Sequence, residues 1–538
     1  MFAEAVPHLQ HVVTIAPNNR DARLSLAVAL QKSGQDEASI PHYEQILAVD
    51  PANRRAMVGL AQALLQREEP EERAAELWEK LVESNPDNPA YLNNLATVRK
   101  GLKQYEASEE VSRRALGLSA NYLPALCNLG IALSCQGRFE EARELFEKAL
   151  EIAEAPRQAP SADAQDSDRK DRPKLFFNDE LPEKTWRELQ VVARSQSATL
   201  ANTFGDLEAV HRHLDHALAL DPDDVDCHMM RGFAHLATGE YEPGFREYEW
   251  RRKSKHKPRV FPKPEWKGEL APDSRLLIHA EQGLGDAIHF IRYARIAQQR
   301  VGQVYFLVHR PIVKLMQSSS YVNQVIGEGD ALPEYDLHIP LMSLPGVCGT
   351  TLDNVPNEVP YLAIDRQLVD DWRGKLAHLE GLRVGICWQG NREFGNDQYR
   401  SVELARFSAL AMPSIQFISL QKGDGAEQID NAGFSVRQFS GIDTEPGGAF
   451  LDTAAIMLNL DLVISTDTAI PHLAGALGVP VWLATSFNCE WRWMLRGERS
   501  PWYPSMTLFR QAQLGDWDSV FAAMATRLKQ GKAAFTPS

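Results

Sequence analysis

From residue 4 to about residue 252, apolar positions recur at helical spacing and are broken by polar turns at a nearly constant interval. A proline or small residue, then Asn or Asp, then a helical run begins at Pro17, Pro51, Pro86 and Ala120, at spacings of 34, 35 and 34. Pro222 follows three further intervals of 34. The turn inside each unit repeats as well, as Gly34-Gln35-Asp36, Gly137-Arg138-Phe139, Gly205-Asp206-Leu207 and Gly239-Glu240-Tyr241. Small residues there let two helices approach, while Leu and Tyr at helical spacing fill the layer between them. After about residue 273 the pattern changes. Short apolar runs of strand length alternate with helical segments: Arg275–Gln282, Gln303–His309, Gln324–Gly327, Arg383–Asn391, Ile415–Gly423 and the two ends of Leu462–Thr485. Such alternation predicts parallel sheets with ligands at the carboxyl ends of the strands.

The segment Leu462–Thr485 predicts a buried strand, a tight Ser465-Thr466-Asp467-Thr468 turn, a short helix and a second buried strand. The amides of Thr468, Ala469 and Ile470 open that helix, and a helix start suits an anion such as a diphosphate. An earlier crevice has the same build: the strand Arg275–Gln282, the turn Gly283-Leu284-Gly285, and Asp286 opening a helix. These two strand–turn–helix units predict two facing Rossmann-like halves, an arrangement suited to a nucleotide-sugar.

A period of 34 is the signature of the tetratricopeptide repeat, two antiparallel helices per unit. The second unit is imperfect, with Glu68-Glu69-Pro70 in place of the glycine turn. Residues 4–15 resemble the second helix of a repeat whose first helix is missing, so the array is expected to start mid-unit. Pro156–Pro173 is polar and Pro-rich and reads as a disordered or loosely held loop. One more repeat is expected from about Trp186 to Leu220 and a last one to about Arg252. Such arrays bind peptides or proteins along a concave face. Asn94 and Asn128, equivalent positions one unit apart, are candidate acceptor-binding residues, set against an exposed site's simple tolerance of Asn. The expected division is an array over 1–254 with a loop insertion at about 155–184, then a linker over 255–273. Two sheet-bearing halves follow over 274–365 and 380–510, and a final helix over 515–530 is expected to pack back on the first half.

Composition narrows the classes. A formal charge of −15 over 538 residues argues against nonspecific binding of nucleic acid or anionic membrane. No apolar run approaches the roughly 20 residues needed to span a bilayer, and MFAEAVPHLQ has no basic start followed by an apolar stretch. The six cysteines are scattered without a CxxC pair, as in a cytoplasmic protein with reduced thiols. No His/Asp/Glu cluster has metal-ligand spacing, and no cofactor is expected.

Five segments in order carry a family resemblance: HAEQGLGD (279–286), GICWQGN (385–391) followed by Arg400-Ser401, SLQKG (419–423), STDTAIPHLAGALGVPVW (465–482), and WRW with SPWYPS (491–505). The chain resembles the bacterial tetratricopeptide-repeat glycosyltransferases, whose catalytic half is of GT-B type. That half is similar to the heptosyltransferases and more distantly to the O-linked N-acetylglucosamine transferases. The resemblance implies an α + α/β protein, a repeat solenoid followed by a metal-independent GT-B transferase, with a nucleotide-sugar donor as substrate and a protein Ser/Thr acceptor. Some relatives with this layout glycosylate flagellin, which the resemblance allows as the acceptor. Two other readings stay open: a repeat scaffold with a vestigial transferase half, and transfer to lipopolysaccharide or another glycan.

Within this frame Asp286 is the candidate general base for the acceptor hydroxyl, against the plain role of a helix cap. Arg400 and Lys422 follow strands of the second half, where cations would offset charge on a leaving nucleotide. Asp467, Thr468 and His472 sit at the expected phosphate turn, and Gln389 and Asn391 end a strand beside it. Gln282, Gly283 and His289 flank Asp286. Trp388 reads as either a core aromatic or a stacking platform, and Trp491 and Trp493 as core or pocket lining.

Overall fold

A computed structural model describes residues 2–67, 71–155, 181, 183–253, 259–393 and 397–536. The Pro156–Pro173 stretch and the Glu68-Glu69-Pro70 turn lie outside the described residues. The chain divides into two compact units, one ending at Asp224 and one beginning at Val225.

The first unit is a series of helix pairs. After a lone helix, Phe2–Ile15, come Arg20–Lys32 with Asp36–Val49, Arg54–Leu65 with Glu72–Ser84, Pro89–Gly101 with Tyr105–Leu118, Leu123–Cys135 with Phe139–Glu154, and Glu183–Thr203 with Leu207–Leu220. The Asn that follows each repeat-opening proline is a cap. Asn19, Asn53 and Asn88 accept the N–H of Ala22, Ala56 and Ala90 at 3.0, 3.1 and 3.0 Å, each worth about 1 kcal/mol. Inside the pairs the turn needs a left-handed residue, which Gly34 and Gly137 supply at φ 78° and 77°. In the third pair Lys103 takes that conformation instead, at φ 60°. Close packing rests on other glycines. A Cβ on Gly59 would fall 2.3 Å from the Tyr43 ring, and one on Gly130 would fall 2.7 Å from Phe146.

The second unit begins with one more helix pair, Val225–Thr238 and Tyr241–Tyr248. Its Leu236, Tyr241, Phe245 and Tyr248 share a core with Phe290, Trp491 and Trp502. The last sequence repeat is thus built into the body that carries the sheets.

Two wholly parallel sheets follow. The first contains β1 (Ala271–His279), β2 (Val301–Val308), β3 (Gln324–Gly327) and β4 (Leu337–Pro340) in the order β3-β2-β1-β4. The second contains β5 (Leu382–Cys387), β6 (Ile415–Ser419), β7 (Val436–Arg437), β8 (Leu462–Ser465), β9 (Val481–Thr485) and β10 (Met506–Arg510) in the order β10-β9-β8-β5-β6-β7. Both orders are doubly wound. The winding reverses between β1 and β4 in the first sheet and between β5 and β8 in the second, and such switch points open a crevice at the strand ends. The loop before β8 ties the sheets together, with the Lys314 N–H donating to Gly447 O at 3.0 Å and the Ala449 N–H to Pro311 O at 2.9 Å. The final helix, Trp517–Leu528, does not reach back to the first sheet. Its Trp517, Val520, Phe521 and Met524 join the core of the second, with Phe407 and Phe509, because its apolar face matches the surface left beside β10.

Candidate functional site

The two switch points meet through a pair of helix starts. Leu284–Phe290 follows β1 and Ala469–Ala476 follows β8. Gly285 allows their contact, since a Cβ there would lie 3.4 Å from Ala469 Cα and 3.3 Å from His472 Cδ2. Asp286 and the Asp467-Thr468 turn are thereby brought to one place.

Asp286 is held at both oxygens. Its Oδ2 accepts the Gly283 N–H at 2.9 Å, so it caps its own helix, and its Oδ1 accepts from Arg492 Nη2 at 2.5 Å. Roughly a quarter of its side chain stays exposed, at 23%, whereas Arg492 is 8% exposed. Arg492 also donates through Nη1 to Glu490 Oε1 at 2.5 Å. Burial opposes the charge of Arg492, yet Glu490 and Asp286 hold its proton more tightly than usual. Removal from water pushes the Glu490 carboxyl up to about 7, against the pull of Arg492. A third of that side chain still meets solvent, at 32%, which tempers the rise. Asp467 is raised by burial, while Trp493, Arg400 and Arg492 draw it down.

The other expected donor residues fall into two groups. Thr468 is the cap of its helix and accepts the Ile470 N–H at 3.3 Å, so that amide is already committed. Arg400, a quarter exposed, pairs with buried Asp397 at 3.1 Å and lies against Gly390. Gln389 lies two residues past β5, where its N–H donates to Gln421 Oε1 at 3.0 Å and its Oε1 accepts from Gln428 at 3.0 Å. Asn391 is exposed and accepts the Glu393 N–H at 2.9 Å. These residues line the strand ends of the second sheet.

The second group is turned elsewhere. Lys422 donates to Ile442 O at 2.9 Å and pairs with Asp443 at 3.3 Å, which anchors the loop before β8. His472, expected on the phosphate turn, is buried. Its Nδ1 lies 3.2 Å from His289 Nδ1 and 3.1 Å from Tyr503 Oη, with its ring stacked on Trp493. His289 is wholly buried in the same network. Burial, followed by the nearby arginines, keeps both imidazoles well below their usual value and hence neutral. Trp388 is a core residue whose Nε1 donates to Gly425 O at 3.1 Å, which excludes a stacking platform. Trp491 and Trp493 are likewise buried. Gln282 sits at φ 50° with its Nε2 on Tyr248 Oη at 2.6 Å, so the last helix pair grips the loop that carries Asp286.

In the array, Asn94 is half-buried. Asn128 is buried and occupied: its Nδ2 donates to Asn93 Oδ1 and Thr97 Oγ1 at 2.9 Å, and its Oδ1 accepts from Lys100 at 2.9 Å. It braces two neighbouring helices rather than offering a free amide. Sequence reasoning missed Arg492, Glu490 and Gln421. The signal for Arg492 was a lone cation between two tryptophans, Trp491 and Trp493, since a charge in so apolar a setting needs a partner. Among the described residues no group of three or more His, Cys, Asp or Glu side chains is arranged to hold a metal, and no helix is long and apolar enough to cross a membrane.

Residues 36–98 and 92–155 match models of the tetratricopeptide repeat. Over 497 residues the chain is 25% identical to Protein FlbA of Caulobacter vibrioides, covering 86% of this chain and 76% of that protein. It is 30% identical over 79 residues to small glutamine-rich tetratricopeptide repeat-containing protein 2 of Mycosarcoma maydis, covering 15% of this chain and 22% of that protein. A solved tetratricopeptide repeat protein from Parabacteroides merdae is 14% identical with a TM-score of 0.37, covering 48% of this chain and 88% of that one. The chain carries tetratricopeptide repeats in its N-terminal part and is similar to FlbA along most of its length.

Proposed function

We propose that the protein is a glycosyltransferase of GT-B type, its two sheets acting as Rossmann-like halves. A nucleotide-sugar lies at the β5 and β8 strand ends, by Gln389, Arg400 and the Asp467-Thr468 turn. A Ser or Thr hydroxyl of a protein acceptor attacks the anomeric carbon. The new C–O bond forms as the bond to the nucleotide phosphate breaks, the nucleotide leaves with the electron pair, and Asp286 takes the hydroxyl proton. Arg400 offsets charge gathering on the leaving phosphate. The observation that carries this reading is the meeting of partly exposed Asp286 with the second sheet's switch point, through Gly285 packed on Ala469. Tetratricopeptide repeats generally bind proteins, which supports a protein acceptor taken by the array. Flagellin is the first acceptor to try.

The internal commitments of Lys422 and His472 favour a second reading, a repeat scaffold whose transferase half is vestigial. Thermal shift with UDP, GDP, ADP and CMP separates the two. Stabilisation by one nucleotide, lost in Arg400→Ala, supports the transferase. A flat response from all four in well-folded protein supports the scaffold.

A further inference from the structure

Arg492 is poorly suited to contact a substrate. It lies behind Asp286, almost wholly buried, while the carboxylate it holds keeps an open side. It is also immobilised. Its guanidinium sits 4.9 Å from the centre of the Phe290 ring and 4.8 Å from that of Trp491. Its own N–H donates to Glu490 Oε2 at 2.9 Å, so Glu490 grips both the side chain and the backbone of the arginine. The backbone flanking each end of the ion pair is conformationally strained. Gln282 and Met494 are non-glycine residues at φ 50° and 58°, and such strain persists only where the surroundings enforce it.

We propose that Arg492 is the positioning residue of the transfer reaction, a fixed cation that aims the Asp286 carboxylate at the acceptor hydroxyl while Glu490 pins the arginine. This rests on the transferase reading above. One guanidinium faces two carboxylates, Asp286 through Nη2 and Glu490 through Nη1, so its orientation is fixed from both. Glu490 holds the arginine through both its side chain and its backbone N–H, while Asp286, hydrogen-bonded at both oxygens, keeps a partly exposed side for the acceptor. Other groups close around the cluster. Asp467 and Arg400 face the cluster from the second sheet, and Tyr248 and Tyr241 from the last helix pair. Neutral His289 and His472 flank it from the two helix starts, and Cys489 lies beside Glu490.

Without Arg492 the Asp286 carboxylate keeps only the Gly283 N–H and turns from the acceptor. The test is the steady-state rate of nucleotide release by the full chain, from UDP-N-acetylglucosamine, GDP-mannose, ADP-glucose and CMP-N-acetylneuraminic acid. In Arg492→Gln kcat at pH 7 falls at least about tenfold, with KM for the donor little changed. Arg492→Lys restores part of kcat. In Glu490→Gln, the milder substitution should Arg492→Gln fail to fold, the loosened arginine lowers kcat by less, again with KM little changed. An active wild type whose kcat is unmoved in the folded variants, or a change in KM alone, overturns the positioning role and leaves the transferase standing. A wild type that releases nucleotide from none of the four donors overturns both.

Discussion

At the scale of single residues, the absence of a side chain at Gly285 holds the two switch points together. Gly285→Val would drive methyl groups into His472 and Ala469, at a cost of about 1–3 kcal/mol. The expected result is a lower unfolding midpoint for the second unit and loss of any nucleotide-induced stabilisation. His279 makes a different kind of prediction. It is buried against Phe261 and His338, and burial, helped by His338, holds its imidazole down at about 3. Above pH 6.5 it is neutral whether folded or unfolded. As pH falls from there toward 3, the unfolded chain gains a proton that the folded one refuses, so stability drops by about 1.4 kcal/mol per pH unit. Urea unfolding at pH 7, 5.5 and 4.5 should show a shallower decline in His279→Phe. Neutral His289 and His472 act in the same sense, so part of the decline remains.

The helical pairs and most strands were legible because each is written in local terms. The Asn caps, the left-handed turns and the apolar runs at β1, β2, β5, β6, β8 and β9 all follow from neighbours in sequence. The strands β4 and β10 were not, because Leu337–Pro340 is four residues ending in proline and Met506–Arg510 is five residues whose apolar run is broken by Thr507 and Arg510. The site divides the same way. Residue types following strands singled out Asp286, Arg400 and Asp467 as candidates. Arg492 pairs with Asp286 at a sequence separation of 206, and nothing local announces such a partner. His472 failed for a related reason: its helix is buried all round from Ile470 to Ala476, and nothing local says which neighbour the imidazole meets. Packing within a repeat is testable by Gly59→Ala. The added methyl meets a Tyr43 ring already fixed by its bond to Gln31 at 2.9 Å, so a loss of about 1–3 kcal/mol is expected. Calorimetry should show it as an earlier transition of the array, with the sheet-bearing unit unmoved.

For the whole molecule, the repeat pattern and the folded bodies do not end at the same residue. The sequence period runs on to about residue 252, but the compact body that holds the sheets starts at Val225. A chain of residues 225–538 is therefore expected to fold, with a cooperative thermal transition. One beginning at residue 253 strips Tyr241, Phe245 and Tyr248 from the core and Tyr248 from Gln282, and is expected to aggregate. The pair of helices at 225–248 follows the repeat's sequence period and is a wall of the other body by employment. Duplication or loss of 34-residue units upstream of it would leave every contact around Asp286 in place. On the proposed reading, the acceptor-selecting array can gain, lose or exchange units stepwise, and so change clients, while the transfer site is inherited intact.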